Sequence, residues 1–194
     1  MSALIDNTKR IPAHLMSNIL SRLPINVIRD ARVYLIATEF AYDKISGEFC
    51  IALIMSQPKV PGYAVVYAYY CQHGTWQKIT NIDIEVHMLR ESSTHIKGIL
   101  FWLSTGFNGK KLITFDISSK ECKVHPLKGF EDNDKLDLVC VEDNIGILSW
   151  KNSGKQYQEF SIWVNIDQTN TYSKWTQQMR IVNAPREILP YSFK

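Results

Sequence analysis

No stretch of this 194-residue chain is apolar for the roughly 20 residues that a membrane-crossing helix takes; the longest apolar runs, such as Cys50 to Met55, fall far short. The opening residues Met1 to Arg10 lack the apolar centre of a secretory signal, and no Asn-x-Ser/Thr sequon occurs. These absences place the chain, as an expectation, in the cytosol or nucleus with no membrane partner. Cys50, Cys71, Cys122 and Cys140 would there be reduced thiols rather than a disulfide framework. A strong charge of one sign is missing too. The net charge is +3, and the basic residues are scattered apart from Lys110-Lys111, which reads as a solvated turn. That balance argues against nucleic acid as a partner.

Signatures of chemistry are equally scarce. There is no Gly-x-x-x-x-Gly-Lys, no Gly-x-Ser-x-Gly and no His-Glu-x-x-His, so phosphate-cradling, hydrolase and zinc-protease mechanisms lack their residues. Cys122 and His125 have C-x-x-H spacing, half of a zinc ligand set. On a strand, however, residues three apart point to opposite faces, which favours a buried Cys and a surface His. Cys71 and His73 flank an expected turn with no third residue to orient them. Glu131-Asp132-Asn133-Asp134 lacks the Gly and terminal Glu of a calcium loop and reads as solvated. The expectation is a protein without catalytic residues, metal or cofactor.

What is present begins with Ile11 to Ile28. Pro12 suits the first turn of a helix, where its missing N–H costs nothing, and Pro24 bars the residue before it from continuing one. Between them Leu15, Ile19, Leu20 and Leu23 recur at three- and four-residue spacing and share a face, with Asn18, Ser21 and Arg22 off it. A helix of about a dozen residues is too short to persist alone in water. Its apolar face must dock, either on the rest of this chain or on a partner.

Beyond about residue 32 the texture becomes strand-like, with short runs rich in Val, Ile, Tyr, Phe and Trp between Gly, Asn, Asp and Ser clusters. Strands are expected at Val33 to Phe40, Phe49 to Met55, Ala64 to Cys71, Gln77 to Ile79, Gly98 to Leu103 and Leu112 to Asp116. Others follow at Lys123 to His125, Leu136 to Val141, Ile145 to Trp150, Glu159 to Ile166 and Trp175 to Arg180. Turns fall at Ser46-Gly47, Gln72 to Gly74, Phe107 to Gly109, Glu142 to Asn144 and Asn152 to Gly154. The pattern is antiparallel and all-β.

Two fragments recur. Tyr42-Asp43 with Ser46 and Glu48 matches Phe115-Asp116 with Ser119 and Glu121, and Gly74-Thr75-Trp76-Gln77 echoes Ser173-Lys174-Trp175-Thr176. An aromatic, an Asp that closes onto the backbone and a following Ser suit a tight strand connection. Repetition of this kind fits sheets of similar build, although aromatic-Asp turns also arise singly in β proteins. Trp76, Trp102, Trp150, Trp163 and Trp175 are expected to fill the space between packed sheets; the alternative is an aromatic binding platform.

Ile11, Pro12, Leu15 and the run Ile19-Leu20-Ser21-Arg22-Leu23-Pro24 resemble the first half of an F-box, the helical module that joins a protein to the Skp-type adaptor of a cullin-based ubiquitin ligase. Downstream, Phe40-Ala41-Tyr42-Asp43, the segment Tyr67 to Ile79, His95 to Leu103, Ile113 to Asp116 with Glu121, Pro126-Leu127, Ile162 to Val164 and Ser173 to Thr176 follow in an ordered series. That series is similar to the type 1 F-box-associated domain of plant F-box proteins, a family of substrate receptors related to kelch-type propellers. The resemblance implies a mainly β fold with a short N-terminal α segment, and antiparallel propeller-like sheets. It implies that Ile11, Pro12, Leu15, Ile19, Leu20, Leu23, Pro24 and Ile28 contact the adaptor, and through it a cullin scaffold. The β body would bind an unknown target protein for ubiquitination.

Departures from the pattern matter. The second half of the F-box and the family's opening β segments are missing between Arg29 and Val33, the acidic positions near the F-box start are Ala13 and His14, and the series stops at Lys194. The expected organisation is a truncated F-box segment at 1–32 and a partial F-box-associated domain at 33–194, forming an incomplete propeller. Exposed sheet edges should follow. Ala64 to Cys71, apolar and uncharged, is the window expected to drive self-association.

Overall fold

The computed structural model describes residues 17–19, 21–22, 35–44, 46–56, 62–84, 89–106, 109–151, 157–166 and 172–185. Ser17–Ile19 form a helical turn. Among the described residues, everything else with regular structure is strand. Twelve strands make three four-stranded antiparallel sheets. The first holds β1 (Leu35–Asp43), β2 (Glu48–Ser56), β3 (Tyr63–Tyr70) and β4 (Thr75–Asp83). The second holds β5 (Leu89–Ile96), β6 (Ile99–Gly106), β7 (Gly109–Asp116) and β8 (Glu121–Pro126). The third holds β9 (Asp134–Val141), β10 (Asn144–Lys151), β11 (Tyr157–Val164) and β12 (Thr176–Pro185). Each sheet is a meander in chain order, the blade of an incomplete β-propeller.

The first strands lead the stacking: β1 borders β5 and β5 borders β9, while the outermost β4 borders β8. The first and third sheets share no comparable border among the described residues. Between the first two sheets lies the larger core. The first sheet offers small side chains, Ala41, Ala52, Ala64 and Ala68, among larger ones, Ile54, Val66 and Tyr70, and the second offers Leu100, Trp102, Ile113 and Phe115. Small against large lets two pleated surfaces interdigitate at native density. Between the second and third sheets Phe101, Leu103 and Leu112 meet Leu136, Ile145, Ile147 and Tyr172.

Eleven of the twelve strands overlap an expected one. The exception is β5, Leu-Arg-Glu-Ser-Ser-Thr-His-Ile, whose polar sequence carries no strand pattern. Its hydroxyls explain the composition, because Ser93 donates to the Glu39 carboxylate on β1 and Ser92 Oγ accepts the Leu138 N–H on β9 at 2.9 Å. Seated beside two other first strands, β5 uses polar groups as cross-sheet ties. The apolar window Ala64 to Cys71 needs a correction as well. It supplies β3, paired with β2 on one side and β4 on the other, so its backbone is interior rather than an open edge. Lys110, expected on a solvated turn, lies in β7 next to its first residue and is buried, its ammonium donating to the Glu131 carbonyl.

Candidate interaction surfaces

The Tyr42-Asp43 turn makes a polar contact between the first two sheets. Asp43 ends β1 at 1% exposure. Its carboxylate accepts the Ser46 N–H at 3.2 Å and hydroxyl at 2.7 Å, closing the turn, and accepts the Ser118 hydroxyl of the second sheet at 2.5 Å. A Cβ on Gly98 would lie 3.1 Å from Asp43 Oδ1, and Gly98 has φ +79°. Only glycine fits that approach without strain. The two recurrent fragments are therefore neighbours, since Ser118 lies inside the second copy. They occupy different places in their sheets, however: Asp43 closes a first strand and Asp116 a third. The Trp echo is positional, because Trp76 and Trp175 both stand at the entrance to a fourth strand, β4 and β12.

On the same rim a cleft of about 330 Å³ opens between the second and third sheets, lined by Lys97, Phe101, Asp143, Asn144, Ile166 and Tyr172 among others. Lys97-Gly98 and Glu142-Asp143 form two-residue hairpin turns with φ of 51°, 79°, 48° and 59°, the left-handed pair that such turns require. Tyr172 also has positive φ, 49°. Its ring packs edge-on against Phe101 and His125, and its carbonyl accepts the Trp175 indole N–H at 3.0 Å. Burial, with the Asp116 charge adding to it, pushes the Tyr172 hydroxyl up to about 12, so it stays a neutral wall of the cleft.

A second cleft, about 250 Å³, lies at the opposite rim against the third sheet. Its charges are mutually paired: Lys151 with Glu131 at 2.8 Å and Arg180 with Glu159 at 2.7 Å. The hydrogen bond from Lys151 holds Glu131 below the ordinary carboxylate value.

The reactive-looking pairs come apart. His73 Nδ1 meets Glu48 at 3.2 Å, and burial, followed by the Glu48 charge, raises the Cys71 thiol, the wrong direction for a nucleophile. Cys122 packs against the core between the first two sheets. His125 instead bonds Thr114 at 3.0 Å and packs on Tyr172. They face opposite sides of β8, as the spacing predicts. Desolvation lifts Cys50 and Cys122 to about 12. No group of three or more His, Cys, Asp or Glu with metal-holding geometry occurs among the described residues. Of the five tryptophans, Trp102 is wholly buried. Trp76, Trp150, Trp163 and Trp175 are half-buried, which makes them walls between core and surface.

Of the expected adaptor contacts, Ile19 alone is described; Ile11, Pro12, Leu15, Leu20, Leu23, Pro24 and Ile28 lie outside the described residues. Ile19 packs on the outer face of the first sheet, against a cluster that holds Ile51, Leu53, Met55 and Tyr69. Ser17, Asn18, Ser21 and Arg22 are exposed and Ile19 is half-buried. Trp76 and Tyr69, which touch this segment, were not among the expected contacts. A signal for them exists in β2, whose unbroken apolar run leaves both faces of the strand needing cover.

No match among curated proteins is found for this chain. Residues 37–193 match the F-box associated beta propeller domain family, which covers all three sheets and the clefts between and upon them. With three four-stranded blades, neighbouring turns clamped through Asp43 and most of its length in that match, the chain belongs to the family of F-box-associated β-propeller domains, which are protein-interaction modules.

Proposed function

We propose that this protein is the substrate-recognition subunit of a Skp–cullin–F-box ubiquitin ligase. The helix of Pro12 to Leu23 binds the Skp-type adaptor, the adaptor links to the cullin scaffold, and the β body presents a rim to a target protein. Other subunits transfer ubiquitin, so the chain needs neither catalytic residues nor a cofactor, and it works in the cytoplasm or nucleus. One observation carries the reading: the family match at 37–193 is preceded in the chain by the Ile11 to Pro24 run. Pull-down of the purified, folded chain with adaptor tests it. Binding at micromolar concentration or better is expected; its absence would remove the ligase role.

A second reading is favoured by the seat of Ile19 on the first sheet. In it the chain is a non-catalytic interaction module, derived from an F-box protein, whose helix serves its own fold and no longer meets the adaptor. Ile19→Asp separates the two. With an adaptor role it abolishes a binding that the unaltered chain shows; without one, neither chain binds adaptor. As a core contact it places a charge on an apolar sheet and lowers the midpoint by several degrees.

A further inference from the structure

β2 is apolar on both faces. Cys50, Ala52 and Ile54 face the second sheet, while Ile51, Leu53 and Met55 face outward, as Tyr69 of β3 does. These outward residues are only 1%, 0%, 7% and 6% exposed, although among the described residues no other sheet borders that face. The N-terminal turn is on it. Ile19 packs against the cluster, the Trp76 indole N–H donates to the Ile19 carbonyl at 2.9 Å, and Arg22 donates to the Tyr69 hydroxyl at 3.3 Å. The Ile19 carbonyl is an acceptor that a helix end leaves without an intrahelical partner; here it takes the Arg22 N–H at 3.1 Å as well as the indole. Arg22 Nη1 sits 3.7 Å from where a Cβ on Gly74 would be, so the β3 to β4 turn is bare under the guanidinium.

From this geometry we infer that the outer face of the first sheet is an intramolecular receptor for the N-terminal helix, and that it competes with the adaptor for Ile19. One side chain cannot lie on the sheet and on a partner at once. The free chain is therefore latched, and adaptor binding lifts the helix from Trp76 and Tyr69. The competition rests on the adaptor role proposed above; the docking of the helix on the sheet does not.

Trp76→Phe in the full chain tests both parts. It keeps an aromatic ring beside Tyr69, whose ring centroid lies 5.3 Å away, and deletes the donor to Ile19. Loss of one such bond should loosen the latch about two- to tenfold. Hydrogen exchange at the Ser21 and Arg22 amides should quicken by that factor without adaptor, and the adaptor Kd from calorimetry should fall by a similar one. Unchanged exchange would overturn the docking. Faster exchange with an unchanged Kd would overturn the competition and leave the docking and the ligase role intact. If neither chain binds adaptor, the ligase role and the competition both fall, and the exchange rates still decide the docking. Tyr69→Phe, which deletes only the acceptor of Arg22, replaces Trp76→Phe if that variant does not fold, with the same expected directions.

Discussion

Asp43 and Asp116 close turns of nearly the same sequence in adjoining sheets, and their surroundings diverge. The Asp43 carboxylate is buried and takes bonds from its own turn and from Ser118 across the interface. Asp116 is half-buried and accepts the Ser119 N–H at 3.0 Å within its own turn. Both do the local work for which an Asp in a turn is suited. What separates them is position: Asp43 ends a first strand, against the β5 to β6 and β7 to β8 turns of the next sheet, and Asp116 ends a third strand. A turn becomes a clamp between blades only where another blade supplies donors within reach.

The largest test of that contrast is Asp43→Ala. It strips the acceptor from the Ser46 N–H and the Ser46 and Ser118 hydroxyls in a buried site, and hydrogen bonds to a carboxylate are the strong kind. About 3 kcal/mol of stability should be lost in urea unfolding. Gly98→Ala comes next. The added methyl must sit 3.1 Å from Asp43 Oδ1 on a backbone with φ +79°, so about 2 kcal/mol is expected from left-handed strain plus crowding. Asp116→Ala should cost least, about 0.5 to 1 kcal/mol, because its turn is open to water that can replace the lost acceptor. Equal losses at Asp43 and Asp116 would show that the bond to Ser118 contributes nothing and that only the local turn matters.

Much of this was legible from the residues. Alternating and continuous apolar runs marked eleven strands, because a pleated strand repeats every two residues and turn residues punctuate it. The opposed directions of Cys122 and His125 followed from the same period. β5 stayed invisible, since a strand tied to its neighbours by Ser92, Ser93 and Glu39 needs no apolar pattern of its own. The ordered motifs from Phe40 to Thr176 pointed to the family, and the family match at 37–193 bears them out. They did not show that two of them meet: the Asp of the first motif and the Gly of the His95 to Leu103 motif are one contact, visible only once the sheets are stacked. Likewise the helical periodicity identified Ile19 as a docking residue and left its receptor open.

The sequence alone therefore determined the class of secondary structure, the series of short strands and the amphipathic face around Ile19, because these depend on backbone periodicity and on side chains within a few positions of each other. Only the tertiary structure decided which Asp turn became a clamp, why β5 is polar, and which surface lies under Ile19. Each of those depends on groups far apart in the chain, Asp43 with Ser118, Glu39 with Ser93, Ile19 with Trp76, and no local pattern records a partner that folding alone brings near.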